Sequence, residues 1–543
     1  MKLLVGRTLS GLRNCHESLA TVRACSSGSR ARLSILAPLV VSAAVLLTAA
    51  AMAAESGSSG AGGPAAKADA APAPAQPSAG LLNDWLREQS EAMRAWDIGG
   101  EFRMRYADSS EAVPSAGSMT ATPSGTKPLT TPINPNTDFI GKGQPNDNQE
   151  LWLREKFHVG YSPASWVSVY GEVRNNNEFW DQRWPSPDAD ECDLQQAYIR
   201  LGDPKEFPLM AKVGRQELSY GDQRLVGTAP WTVSGRVFDA AKLRFETDAF
   251  WVDAFAGRVV VPQEDHFNEC NDYDWFSGIY ASSQKLVPWQ ETQIYLLARN
   301  TSAKAVSAAD TNVPGTPTTA RDIYTYGMRF KSLPDKLDGW DYTVEAAGQS
   351  GSIYSSTLKT RLDQQAYAVF ASGGYTWTNL WGAPRLGVGY EGGSGDSDST
   401  DGTSETFENL FGSNHSFYGQ MDLLCERNMH IPRVTASFAP LKNLTMTVDY
   451  LRFWLADTSD YLYPESGSGR SSNGYGIHST YDSYVGSEVD VVAKYSPLPW
   501  LKLEAGYGHF FVGDYIQESV ESKKSNGSAV DSNWVYVQTT FSF

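Results

Sequence analysis

From residue 97 to residue 543 the chain is a succession of about eighteen short segments in which apolar and polar residues alternate, joined by connections that are by turns short and long. A period of two puts alternate side chains on opposite faces of a β-strand, so each segment offers one greasy and one polar surface. In the last segment Val535, Val537, Thr539, Phe541 and Phe543 share one face, and Tyr536, Gln538, Thr540 and Ser542 the other. In the first, every second residue from Ile98 to Tyr106 is apolar or glycine, with Asp97, Gly99, Glu101, Arg103 and Arg105 between them. The same rhythm predicts strands over 150–161, 166–174, 192–201, 209–217, 236–246, 249–259, 273–282, 291–300, 321–331, 340–349, 363–376, 384–391, 429–439, 444–455, 486–496 and 500–511. A β-sandwich would bury the greasy faces against one another, but it does not require loop lengths to alternate. Here the turns at 203–205, 247–248, 440–442 and 496–498 contrast with polar stretches such as 392–428 and 456–485. A membrane barrel has that alternation, an even strand count and a lipid-facing greasy surface. The predicted fold is all-β, a transmembrane antiparallel up-and-down β-barrel of about 18 strands. Its last strand pairs with residues 97–106, turns Phe541 and Phe543 to lipid and lines the pore with Tyr536, Gln538 and Thr540.

The N-terminus is organised for export. Arg7, Arg13, Arg23, Arg30 and Arg32 precede an apolar run over 33–50 and then Ala51-Met52-Ala53, a small-x-small cleavage signature. Residues 1–53 are therefore predicted to be a secretory signal with a long basic region. A retained helical anchor is the competing reading, and Pro38 and the many alanines of the run argue against it. Residues 54–80, mostly Ala, Gly, Pro and Ser, read as a flexible linker. Leu81, Leu82, Trp85, Leu86, Met93 and Trp96 make 81–96 a short periplasmic amphipathic segment ahead of the barrel at 97–543. Loss of 1–53 removes Lys2 and five arginines against Glu17, which takes the net charge from −17 to about −22. So acidic an exterior disfavours nucleic acid as a partner. Only Cys192, Cys270 and Cys425 then remain, too few for a disulfide scaffold; one disulfide between long loops and free thiols are both compatible with the sequence.

A charge facing lipid near the midplane costs about 2 to 4 kcal/mol, so the charged sets of these strands turn inward. The basic lumen set is Arg103, Arg105, Arg154, Lys156, Arg174, Arg200, Lys242, Arg244, Arg299, Arg329, Arg385, Arg433, Lys494 and Lys502. The acidic set includes Glu101, Glu172, Glu246, Asp253, Asp341, Glu345, Glu391, Asp449, Glu488, Asp490 and Glu504. Many of these pair across neighbouring strands as plain wall ion pairs. Arginines left in surplus would hold anionic groups, because guanidinium meets carboxylate bidentately and stays charged. For a polymer in transit several weak sites serve better than one deep one. Strict alternation sets Lys212 and Arg215 on opposite faces, which requires a bulge at Gly214 or a side chain that snorkels.

Val213-Gly214-Arg215-Gln216 leading to Tyr220-Gly221-Asp222-Gln223-Arg224, together with Gly486-Ser487-Glu488-Val489-Asp490-Val491-Val492 and Gly506-Tyr507-Gly508-His509-Phe510-Phe511-Val512-Gly513-Asp514-Tyr515, resembles the alginate-export family of outer-membrane proteins. The likeness spans residues 97–543 at the level of strand rhythm. It implies a monomeric barrel with an arginine-rich conduit for polyuronate, closed in part by loops. By that resemblance Arg215 is the first conduit arginine, with Arg103 and Arg154 assigned by strand position. The Ala/Pro/Gly-rich extension at 55–80 departs from the family pattern. The expected function is an outer-membrane porin that passes anionic solutes or alginate-like polysaccharide. Its partners are that polysaccharide or small anionic solutes, outer-membrane lipid, and barrel-assembly machinery that reads Phe543. The substrate pathway would run along Arg103, Arg105, Arg154, Lys156, Arg174, Arg200, Arg215, Lys242, Arg244, Arg329 and Arg385.

The alternatives are a general small-solute porin, a sealed structural or adhesive barrel, and, less favoured, a carbohydrate-active enzyme. The chain has no His-Glu-x-x-His, Gly-x-Ser-x-Gly or phosphate-binding loop, and His158, His266, His415, His430, His478 and His509 are scattered. The acidic loop carrying Asp396, Asp398, Asp401, Glu405 and Glu408 lacks the EF-hand order of ligands. No catalytic residue, metal or cofactor is expected.

Overall fold

The structure, a computed structural model, describes residues 80–110, 121–122, 125–126, 139–141, 148–180, 190–262, 267–302, 320–355, 358–465, 467 and 469–543. The predicted signal at 1–53 and all of the linker but Gly80 lie outside the described residues.

Eighteen long strands follow one another: β1 Trp96–Ser110, β2 Asn148–Ala164, β3 Val167–Phe179, β4 Asp190–Leu201, β5 Leu209–Gln216, β6 Phe238–Glu246, β7 Trp251–Val261, β8 Glu269–Val287, β9 Gln290–Thr301, β10 Arg321–Ser332, β11 Trp340–Ser355, β12 Thr360–Thr376, β13 Arg385–Gly393, β14 Met429–Leu441, β15 Leu444–Leu455, β16 Tyr484–Leu498, β17 Leu501–Val512 and β18 Ser532–Ser542. Each pairs antiparallel with the next, and β18 pairs with β1, from Glu101 opposite Ser542 to Ser110 opposite Asn533. The sheet is therefore a closed antiparallel barrel of 18 strands. Every strand expected from the alternation forms, and several run farther than expected, as β8 does beyond 273–282. At the rims both faces of a strand leave the membrane, so alternation fades there while the hydrogen-bonded ladder continues.

The two faces divide as the alternation requires. Val213, Ile294, Val388 and Val537 are each more than half exposed on the outside. Inward neighbours such as Glu345, Gln349 and Arg329 are buried. An apolar side chain of that size gains about 1.5 to 3 kcal/mol on leaving water, so a wall with this surface is stable only in lipid. Aromatic rings gather at the short-turn end, where Trp96 meets Tyr161 at 4.5 Å, Trp340 meets Tyr375 at 5.0 Å and Trp500 meets Phe541 at 5.3 Å. Phe541 keeps the outward parity of Val535 and Val537, but Trp500 and Phe543 cover it and leave it buried rather than open to lipid. Phe543 and Gly100 exchange backbone hydrogen bonds at the seam. A Cβ on Gly100 would stand 2.6 Å from the Phe543 ring and 2.4 Å from the Lys156 carbonyl, so only glycine admits this closure.

Ahead of β1, a helix α1 over Leu81–Gln89 realises the amphipathic segment. Its Asn83 is buried, donating to Asp97 Oδ1 at 2.6 Å and accepting the Ile98 amide at 2.7 Å, which fixes the helix to the first strand. The lumen is less open than a purely polar interior would make it. Loops 217–237 and 394–428 fold inward, and Leu218, Leu225, Val226, Phe407, Leu410 and Phe411 pack on the wall residues Phe238, Phe255, Phe276, Tyr280, Leu297 and Phe370. Val226 and Phe411 join the two loops by a parallel bridge. A second apolar cluster, with Phe417, Tyr418, Leu424, Leu462, Tyr463 and Tyr475, is completed by helix α2, Asp514–Glu521, through Tyr515, Ile516 and Val520. It sits over Met429, Ile431, Leu451, Phe453 and Phe510 of the wall.

Candidate functional site: the lumen wall and its inward loops

Register sets the wall charges side by side. Arg103 stands opposite Arg154, and Lys156 opposite Arg174. Toward the short-turn end Arg200, Lys212 and Lys242 form one lateral row on β4, β5 and β6. Most of these cations are matched by carboxylates of the same wall. Arg154 meets Glu101 at 2.5 Å, Lys156 meets Glu172 at 3.4 Å, and Arg174 meets Asp190. Asp253 serves both Lys242, at 3.5 Å, and Arg244, at 2.6 Å. Arg385 holds Asp341 at 2.6 Å, and Arg329 holds Asp222 at 2.6 Å and Glu291 at 3.3 Å. Asp222 belongs to loop 217–237; burial alone would push its carboxyl up, but the hydrogen bonds from Arg329 and Lys331 outweigh it and hold it below the usual carboxylate range.

Three of the expected pathway cations have no carboxylate within 4.0 Å among the described residues: Arg103, Arg105 and Arg200. The first two are turned to backbone carbonyls at the tip of loop 217–237. Arg103 donates to Pro230 O at 2.8 Å and Thr232 O at 2.9 Å, and Arg105 to Trp231 O at 2.5 Å. Arg154 adds a bond to Thr232 O at 3.3 Å, and Arg174 one to Ser234 O. The Arg105 guanidinium lies between the Trp152 and Trp231 rings, 4.3 and 3.3 Å from their centroids. Trp231 in turn stacks on His415 of loop 394–428 at 3.7 Å, and His415 pairs with Asp422. Tyr536 and Gln538 do face inward, yet Trp231 packs edge-on against Tyr536 and both residues are buried. Arg200 remains half-exposed, bonded to Ser168 Oγ at 3.1 Å. Lys212 beside it places its ammonium 3.6 Å from the centre of the Tyr198 ring.

Arg215 is placed differently from the conduit role the resemblance gave it. The β4–β5 and β5–β6 ladders pass Gly214 without a shift, so there is no bulge. Gly214 takes a φ of 125°, and a Cβ there would come 2.2 Å from Ala197 O. Arg215 shares the face of exposed Val213 and pairs with Asp239 at 2.8 Å at the long-loop rim, beneath the carbonyls of Leu194 and Asn268. It is a rim ion pair on the outer side, and Lys212 is the residue that keeps the lumen face. The inward loop residues Trp231, Glu408 and Phe411 lay outside the sequence expectation altogether. Glu408 collects Arg299, Arg321 and Arg427. The three cysteines are free, and among the described residues no group of His, Cys, Asp and Glu is placed to hold a metal ion.

A closed barrel with a greasy belt, charged lumen and inward loops defines an outer-membrane transport barrel of the porin type. The class has solved counterparts. The *Pseudomonas aeruginosa* protein OccK9 (OpdG) is 11% identical, with 83% of this chain and 99% of that chain covered at a TM-score of 0.51. OpdK of the same organism, solved with vanillate, is 12% identical over 82% of this chain and 98% of that one, at 0.49. At this identity the likeness is one of fold. No curated protein matches the chain. Residues 135–530 match the family model described as alginate export, and the chain belongs to that family. Family and fold are those of transport, and the short-turn end is accordingly periplasmic.

Proposed function

We propose that the barrel passes anionic solutes of the carboxylated polysaccharide class along a basic strip of its lumen. The observation that carries this reading is the row Arg200–Lys212–Lys242, three cations abreast on adjacent strands, of which Arg200 and Lys212 have no carboxylate within 4.0 Å among the described residues. Together with Arg103 and Arg105 they leave the β1–β6 sector of the wall with uncompensated positive charge inside an acidic protein. Guanidinium and ammonium groups in that setting attract carboxylates and release them, since partly solvated pairs are worth only about 1 kcal/mol each. The neutralised charges of the other sector, with the packed loops, favour a second reading, a barrel closed to all but small solutes.

Planar-bilayer recordings of the purified barrel with added oligouronate test the proposal. Voltage-dependent block by the oligouronate, and none by a neutral oligoglucan of equal length, is expected. Charge reversal in Arg200→Glu/Lys212→Glu should weaken the block by at least about tenfold, as two lost attractions and two new repulsions predict. An unchanged block removes this row from the pathway, and no conductance at all favours the closed barrel.

A further inference from the structure

Building on the polyanion reading, we infer that the tip of loop 217–237 is a displaceable internal plug: its carbonyls occupy an arginine site of the wall in which the carboxylates of a passing polyuronate bind. Four guanidinium groups from three neighbouring strands converge on four consecutive turns of chain. Arg103 and Arg105 come from β1, Arg154 from β2 and Arg174 from β3, and their acceptors are the carbonyls of Pro230, Trp231, Thr232 and Ser234.

A loop that merely needed fixing would be served by amides or hydroxyls. Instead, two buried cations, Arg103 and Arg105, are given neutral acceptors only, apart from the Gln538 side-chain oxygen that Arg105 reaches at 2.9 Å. Carbonyls satisfy the N–H groups without cancelling the charge, and a charge left uncancelled in a buried site favours any anion that can enter. A carboxylate forms charge-assisted bonds with guanidinium that are about twice as strong as those of a neutral acceptor. The carbonyls are therefore the weaker ligand, held in place by the chain's own effective concentration. What else keeps the tip seated is one ring. Trp231 covers Arg105, stacks on His415 and meets Tyr536 and Trp534 edge-on, so departure of the tip must unstack Trp231 and uncouples loop 217–237 from loop 394–428 at that point.

The test uses the full barrel in detergent micelles for hydrogen exchange and in planar bilayers for current, at one ionic strength. With oligouronate, amide exchange over residues 227–236 should rise about tenfold, equivalent to about 1.4 kcal/mol, while a neutral oligoglucan leaves it unchanged. Trp231→Ala lies in a loop and leaves the wall strands intact. It should raise the single-channel conductance without ligand and lower the oligouronate concentration needed for half-block. Exchange that stays constant while oligouronate still blocks the current overturns the plug and leaves the pathway standing. Absence of any block overturns both. A Trp231→Ala barrel with wild-type conductance and wild-type block also overturns the plug.

Discussion

Glu408 offers the sharpest test of what keeps loop 394–428 inside the barrel. The side chain is buried; one carboxylate oxygen accepts from Arg321 and lies 3.4 Å from Arg299, and the other faces Arg427 at 3.4 Å. Glu408→Gln keeps the shape and removes the charge. Withdrawing one partner from a buried ion network costs about 3 to 5 kcal/mol, because the remaining charges stay desolvated. Two features put this site at the lower end. Arg299 retains Asp274 at 2.8 Å, and Gln349 still bonds the Glu408 backbone, accepting from its N–H at 2.8 Å and donating to its C=O at 2.9 Å. About 3 kcal/mol corresponds to roughly a hundredfold shift in the local opening equilibrium. Hydrogen exchange followed by mass spectrometry over residues 403–416 should therefore speed up by about that factor, with strands β9 to β12 unchanged. Added salt should leave the difference intact, since buried pairs are little screened. An increase below about threefold would refute the reasoning and assign the docking to the apolar packing of Phe407, Leu410 and Phe411 instead.

Two further outcomes follow from other parts of the fold. Burial pushes the Glu426 carboxyl up to about 7, against the opposing pull of Arg427. A folded-state value above the unfolded one means that the loop core is most stable below about pH 4.5 and loses stability as pH rises to about 7. The loss, about 3 kcal/mol, should be read as faster exchange over 417–428 at pH 7.5 than at pH 5 after correction for intrinsic rates, and Glu426→Gln should abolish it. At the seam, Gly100→Val would force a side chain into the Phe543 ring and the Lys156 carbonyl, at a cost of about 1 to 3 kcal/mol or more. The fraction of heat-modifiable, folded barrel on a semi-native gel should fall, and a wild-type fraction would show that the seam can repack.

The wall was legible in the sequence because two independent constraints agree there. The period of two fixes which side chains share a face, and the cost of charge in lipid fixes which face is inside; Arg103, Arg154, Arg200 and Arg385 could therefore be oriented from parity alone. The Lys212/Arg215 conflict was visible as well, but parity does not say where along a strand the membrane ends, and Arg215 could face outward only because it lies at the rim. The inward loops were not legible. Residues 217–237 and 394–428 have no period, and their folding depends on contacts with strands more than a hundred residues away, such as Arg236 with the Phe411 carbonyl at 2.6 Å. One trace of them did exist. Phe238, Phe255, Phe276 and Phe370 occupy lumen positions that water would not favour, and apolar residues on both faces of a strand signal that something covers the inner one.

The arginine contacts to Pro230, Trp231 and Thr232 also have a mechanical meaning. A tube of eighteen strands joined only to its neighbours is soft toward flattening, because its cross-section can turn oval without breaking a ladder. Loop 217–237 is rooted between β5 and β6, is clasped at its tip by β1 to β3, and leans through Trp231 on a segment rooted between β13 and β14. It is a strut along a chord of the ring. The barrel resists compression along that chord and yields more readily across it, so lateral pressure in the membrane deforms this protein in a preferred direction.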